Sequence, residues 1–156
     1  MPFPTITAAE IIKRGQLQIS QFPESGGTTN GFQAIVDIEK DLASAELALA
    51  YPSLVDNTDA NITLVIRTYI MYRALGHLWQ QIKSTFDGYD AARLPPEYVD
   101  SDQAAANRDW YLAGAREQLA ILDGVIPDMN PDTTEDIWKP QYLPAVATSD
   151  SYELKN

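Results

Sequence analysis

The stretch ANITLVIRTYIMYRALGHLWQQIKSTF, from 60 to 86, contains no proline and repeats large apolar side chains in steps of three and four residues. This spacing places them on one face of an α-helix, and Asp59 can cap its first turn. At about 1.5 Å per residue the helix is about 40 Å long, so it is expected to be the central helix of the domain. Its predicted inward residues are Ile62, Val65, Ile66, Tyr69, Tyr72, Arg73, Gly76, Trp79, Ile82 and Phe86.

Two helices are predicted before the central one. Thr7 and Glu10 have the spacing of a capping box, so the first is expected to run from residue 7 to about residue 19. The stretch QFPESGGTTNG that follows has the composition of a surface loop. The second helix is expected from 30 to 50, where apolar residues again recur at helical steps. Its predicted inward residues are Phe32, Ile35, Ile38, Leu42, Ala45 and Leu49.

A fourth helix is predicted from 102 to 123, with Gly124 as its C-terminal cap. Its Trp110 is expected to be buried, like Trp79 of the central helix. No alternation of apolar and polar residues is long enough to build a sheet. The sequence therefore predicts an all-α fold, a small bundle of about four helices in one domain that covers residues 1–124.

Residues 125–156 follow a different pattern. Prolines recur too often for a helix, yet the segment is richer in aromatic residues than disordered tails are. We expect an extended arm that either docks on a partner or folds back over its own domain, and the interpretation that we develop is docking. The residues expected to make the docking contacts are Ile137, Trp138, Tyr142, Leu143 and Val146.

Composition narrows the functional classes. The net charge of −11, from 22 acidic and 11 basic residues, argues against sequence-specific DNA binding, which depends on neutralising phosphates. The absence of cysteine excludes disulfides and thiolate chemistry. The N-terminal MPFPTITAAE lacks the pattern of a secretory signal, and no apolar run approaches the roughly 18–20 residues that cross a bilayer. A soluble protein of the cytoplasm is expected.

Candidate chemistry is sparse. His77 is the only histidine and has no second ligand or nucleophile at a suitable spacing, so a structural role is expected. Asp128, Asn130 and Asp132 match the first positions of a calcium loop, but Lys139 stands where a bidentate Glu is needed. A turn is the better interpretation of that stretch. We therefore expect no cofactor, no metal and no enzymatic activity.

The layout of the chain resembles that of the head–tail connector (adaptor) proteins of tailed bacteriophages. The resemblance covers roughly residues 5–150, and it runs through TAAEIIKRGQLQI, IVDIEKDLASAELALA, TLVIRTYIMYRALGHLW and the arm. It implies a structural virion protein of the neck, assembled in the host cytoplasm. Its copies would form a ring, a dodecamer by the resemblance, beneath the portal protein and next to tail or neck proteins. The arm would reach along the portal, DNA would pass without specific binding, and no membrane would be involved.

Two other hypotheses belong to different classes. A helical regulatory or DNA-packaging module, similar to a small terminase, would need a helix-turn-helix with a basic recognition helix. The basic residues are instead scattered along the chain. An enzyme would need a constellation of nucleophile, base or metal ligands, and the sequence offers none.

Overall fold

The computed structural model describes residues 3–87 and 101–125. It contains four α-helices, which are α1 (Ala8–Gly15), α2 (Thr29–Ala50), α3 (Ala60–Phe86) and α4 (Ser101–Val125). No strand occurs within those two ranges. The prediction of an all-α bundle with a long central helix is confirmed, and α3 has the predicted bounds. Helix α4 continues through Gly124 to Val125, so the prediction that Gly124 ends it is wrong.

Side-chain caps begin the first three helices. The predicted capping box of α1 is present, because Thr7 accepts a hydrogen bond from the Glu10 amide and the Glu10 carboxylate accepts one from the Thr7 amide. Thr28 caps α2 by accepting from the Gly31 amide at 3.0 Å. Asp59 caps α3 as predicted, accepting from two amides of the first turn. These contacts satisfy amides that have no partner inside the helix.

Helix α1 is shorter than predicted. It ends at Gly15 rather than near residue 19, and Gln16 takes a left-handed conformation with φ 53°. Gly15 lies close to α3, because a Cβ on it would be only 2.3 Å from a methyl carbon of Leu75. The following segment is not simply a surface loop. It forms two 3₁₀ turns, and between them Phe22 is buried with its ring 5.3 Å from that of Phe32.

Helix α3 packs against both α2 and α4, each of which runs antiparallel to it. Close approach to α4 depends on two glycines. A Cβ on Gly76 would lie 2.3 Å from Leu112, and one on Gly114 would lie 2.6 Å from the Tyr72 ring. Helices α2 and α4 scarcely touch each other, so the bundle is built around α3 rather than around a shared central seam.

Ion pairs join α3 to its neighbours. The Arg73 side chain is 1% exposed and its guanidinium lies 2.8 Å from the Glu46 carboxylate of α2. Arg67 pairs with Glu10 of α1. Burial raises the pKa of the nearby Tyr69 phenol well above its ordinary value, which keeps that hydroxyl neutral inside the core.

The predicted inward face of α2 is wrong over most of its length. Phe32 is buried, but Ile38, Leu42 and Leu49 are 59%, 50% and 78% exposed, and Ala45 is exposed too. Ile35, also predicted inward, is partly buried against the core. The other residues of α2 that face the core with Phe32 are Val36, Ala43, Leu47 and Ala50. Helix α2 is thus apolar on two faces, and the core uses the one that brings Glu39 and Glu46 against α3.

Burial of the two predicted core tryptophans is confirmed for one and wrong for the other. Trp79 is 5% exposed, whereas Trp110 is 60% exposed. The face of α4 that meets α3 carries Leu112 and Leu119. Trp110 precedes Leu112 by two residues, which is about 200° around a helix with 3.6 residues per turn, so its side chain lies on the outer surface.

Candidate interaction surfaces

Titratable side chains do not assemble into a reactive centre within the described ranges. No group of three or more His, Asp or Glu residues there could hold a metal ion. The Nδ1 atom of His77 lies 3.1 Å from a Glu39 carboxylate oxygen, and Gln81 donates to the other oxygen at 2.8 Å. This contact links α2 to α3, and the structural role of the histidine stays a prediction. The calcium-loop-like stretch from 128 lies outside the described residues.

Two surface cavities border α4. The first, ≈790 Å³, lies on the His77 side and includes Arg108 and Arg116. Arg108 is already bonded to Asp109 at 2.8 Å and to Gln80. The second, ≈610 Å³, is lined by Trp79, Trp110 and Arg14 and by the amides of Gln18, Gln21, Gln103 and Asn107. Neither cavity brings a nucleophile together with a base.

The predicted docking residues of the arm, Ile137, Trp138, Tyr142, Leu143 and Val146, lie outside the described residues, and their role stays a prediction. Val125 is the last residue that the structure describes before the predicted arm. The last turn of α4 is joined to the end of α2, because the Tyr51 hydroxyl donates a hydrogen bond to Asp123. The last turn of α4 therefore lies beside the C-terminal end of α2.

The first apolar surface lies on α2. We call Ile38, Leu42, Ala45 and Leu49 the α2 outer stripe. Their steps of four, three and four residues are those of a helix–helix seam, and the stripe is about 16 Å long at ~1.5 Å per residue. Leu49 is its most exposed member, at 78%. An exposed apolar row on an ordered helix is typical of an interaction site.

The second apolar surface lies on α4. We call Trp110, Ala113, Ala120 and Ile121 the α4 outer face, all of which are exposed. The exposed carboxylate of Glu117 lies among them, so this surface is only partly apolar. Trp110 is 60% and Ile121 48% exposed. Exposed tryptophans are typical of protein–protein interfaces, where they often contribute a large share of the binding energy. The first and last members of this face are eleven residues apart, the same separation as in the α2 outer stripe.

Trp110 is held in place by other aromatic side chains. Its ring lies 5.8 Å from that of Tyr72 and 5.0 Å from that of Tyr111, the latter edge to face. Arg14 of α1 donates to the Tyr72 hydroxyl at 2.7 Å and lies over its ring. Burial raises the pKa of the Tyr111 phenol, which donates to the Arg14 carbonyl. The exposed indole is therefore positioned before any partner binds.

Both surfaces could be seen in the sequence only in part. Periodicity identifies the α2 outer stripe but assigns it to the core, and it predicts a buried Trp110. The sequence does contain a signal for the exposed stripe. Helix α2 has a second apolar set, Val36, Ala43, Leu47 and Ala50, and a helix with two apolar faces can bury only one of them in the core of its own domain.

Comparison with known proteins assigns neither a family nor a function to the chain. Within the described ranges, no helix combines the length and apolar character needed to cross a membrane. The chain matches no protein-family model, and no curated protein or solved structure is significantly similar to it. Any function assigned to the chain therefore rests on the two apolar surfaces and on the arm.

Proposed function

We propose that the chain is a structural subunit that assembles with copies of itself into a ring. By the resemblance of its layout, that ring is the head–tail connector of a tailed bacteriophage, placed in the virion neck between the portal and the tail. The observation that supports assembly most directly is the α2 outer stripe. It is an apolar row on a helix whose opposite face is already buried against α1 and α3.

The energetic argument is that this stripe is costly to leave in water. Burying a Leu or Ile side chain that would otherwise be exposed is worth about 1.5–3 kcal/mol. Ile38, Leu42 and Leu49 are all at least half exposed in the single chain. A neighbouring protein that covers them recovers the share of that free energy that corresponds to their exposed area, about half of it for Ile38 and Leu42.

Charge fits a connector through which DNA passes. The net charge of −11 repels phosphate and opposes adhesion to the nucleic acid. We assign no catalytic role, cofactor, metal or membrane contact, and DNA is proposed to pass without specific binding. The partners are the portal protein, neighbouring copies and tail or neck proteins.

In this proposal the arm attaches the ring to the portal. Prolines restrict the unbound backbone, which lowers the entropy lost on docking. Trp138 and Tyr142 are the expected anchors, and removal of one aromatic anchor from an interface commonly costs about 2 kcal/mol or more.

Deletion of residues 127–156 tests this attachment. We expect the truncated protein to melt as a folded helical bundle but to lose co-sedimentation with purified portal rings of the same phage. Deletion of residues 147–156 alone is the matched control, because it keeps all five predicted docking residues and is expected to preserve binding.

Two outcomes would contradict the role of the arm. Unfolding of the bundle on deletion of 127–156 would show that the arm belongs to its own core. Unchanged affinity of that variant for the portal would show that attachment runs through the helices.

A further inference from the structure

We propose that the second cavity bordering α4 binds a neutral carbohydrate. We call it the amide cavity, because carboxamide side chains make up half of the residues that line it. In this site the exposed Trp110 ring stacks on the apolar face of a sugar ring, while carboxamides exchange hydrogen bonds with the sugar hydroxyls. Every residue involved belongs to a single chain, so this binding goes beyond the proposed function and does not require self-assembly.

The wall of the amide cavity is polar but almost uncharged. Five of the ten described residues that line it carry a carboxamide, namely Gln16, Gln18, Gln21, Gln103 and Asn107. No carboxylate lies among those ten, although the chain has 22 acidic residues. Arg14 is the only charged residue of the ten, and it already donates to the Tyr72 hydroxyl at 2.7 Å. This wall is therefore suited to a neutral polar ligand rather than to an ion.

Two buried side chains with polar groups line the amide cavity. Gln21 is 3% exposed, and its carboxamide oxygen accepts from the Gln18 amide at 2.8 Å. Because a backbone N–H must meet the oxygen, this bond fixes the carboxamide orientation and leaves its NH₂ group as a donor. The indole nitrogen of Trp79 is also buried, and it bonds to no group of the described ranges. Buried donors usually have an acceptor, and a ligand hydroxyl supplies one.

A row of residues along α4 completes the site. Residues three and four apart lie on one side of a helix, so Gln103, Asn107 and Trp110 follow one another beside the cavity. Gln103 donates to the Asn107 carboxamide at 3.1 Å, which orients that group. The Trp110 ring is 60% exposed and lies against the rings of Tyr72 and Tyr111. A flat apolar surface is therefore positioned at the cavity before any ligand binds.

These features fit the chemistry of a sugar. A pyranose has an apolar C–H face that an indole covers well, and each of its hydroxyls both donates and accepts, as a carboxamide does. A phosphate or carboxylate ligand would instead need several cations, and a purely apolar ligand would leave the buried donors without acceptors. The cavity volume of ≈610 Å³ lies within the range of about 300–1,000 Å³ for small-molecule sites.

Titration of the full-length protein with four disaccharides provides the test. Maltose, cellobiose, lactose and di-N-acetylchitobiose are added separately to about 10 mM, which detects a Kd in the millimolar range. Saturation-transfer NMR and tryptophan fluorescence follow the binding. We expect at least one disaccharide to bind and to change the tryptophan emission, because two indoles line the cavity.

Variants locate the bound sugar. Trp110→Ala and Asn107→Ala are each expected to weaken its binding about tenfold, through loss of the stacking surface and of a hydrogen bond. Trp110→Phe keeps an aromatic ring and should restore most of the affinity. Gln80→Ala is the matched control, because it removes a carboxamide from the other cavity and should leave the affinity unchanged. Circular dichroism of each variant confirms that the helices are retained.

Three outcomes would overturn the carbohydrate site. The first is that none of the four disaccharides binds, and the second is that Trp110→Ala binds as tightly as the unaltered protein. The third is displacement of the sugar by inorganic phosphate, which would show that the cavity binds anions. Each outcome is read in the same way from a monomer or an oligomer, so failure of the site leaves the proposed ring unaffected.

Discussion

Replacing Trp79 by alanine is expected to lower the free energy of unfolding by about 3–5 kcal/mol. The indole is 5% exposed and lies in the buried cluster around α3. Its removal forfeits the transfer of a large apolar group out of water and leaves a cavity that rigid neighbouring helices fill only in part. Urea unfolding followed by circular dichroism measures the change, with the slope m unchanged if the denatured state is unaffected.

Trp110→Ala is the matched control. This indole is 60% exposed, so its loss removes little burial and mainly the aromatic contacts to Tyr72 and Tyr111. A cost of about 0.5–1.5 kcal/mol is expected for such contacts. Equal losses for the two variants would show that the faces of α3 and α4 are wrongly placed.

Glu46→Ala is expected to lower the free energy of unfolding by about 3 kcal/mol, the lower end of the range for breaking a buried ion pair. Arg73 is 1% exposed and its guanidinium lies 2.8 Å from the Glu46 carboxylate, whose side chain is 29% exposed. Removal of the partly exposed carboxylate alone is expected to change the free energy of unfolding little. The cost arises because the positive charge of Arg73 stays in the core without this carboxylate.

The double variant Glu46→Ala/Arg73→Met separates that cost from general damage to packing. Methionine fills much of the arginine volume without its charge, so most of the lost stability should return. A double-mutant cycle in urea then gives a coupling energy, which is expected to be well above the few tenths of a kcal/mol seen for independent sites. If the stability losses of the two single variants simply add in the double variant, the interaction between Glu46 and Arg73 contributes nothing to stability.

Local signals are enough to predict α3. Asp59 caps its start, the apolar period holds throughout, and no proline interrupts it before Phe86. For α1 the local signals predict the start, through Thr7 and Glu10, but not the end. At that end Gly15 lies close to Leu75 of α3, and the apolar period of α1 does not indicate this approach between residues sixty positions apart.

The candidate surfaces show a different limit. Periodicity detects an apolar face but does not say what covers it, and α2 has two such faces. Its core side is chosen by tertiary contacts, with Glu39 reaching His77 and Glu46 reaching Arg73. The sequence therefore identifies the residues of the α2 outer stripe as an apolar set, but it predicts that they are buried in the core, whereas they are exposed. The arm after Val125 is predicted from composition, and its docking remains a prediction.

Sedimentation velocity of the full-length protein over a range of concentration and salt shows whether copies of this chain assemble with one another. Salt matters because each copy carries a net charge of −11, and screening weakens the repulsion between copies. We expect a discrete oligomer that becomes more populated as concentration and salt increase. A single species of 17.3 kDa under every condition is incompatible with self-assembly.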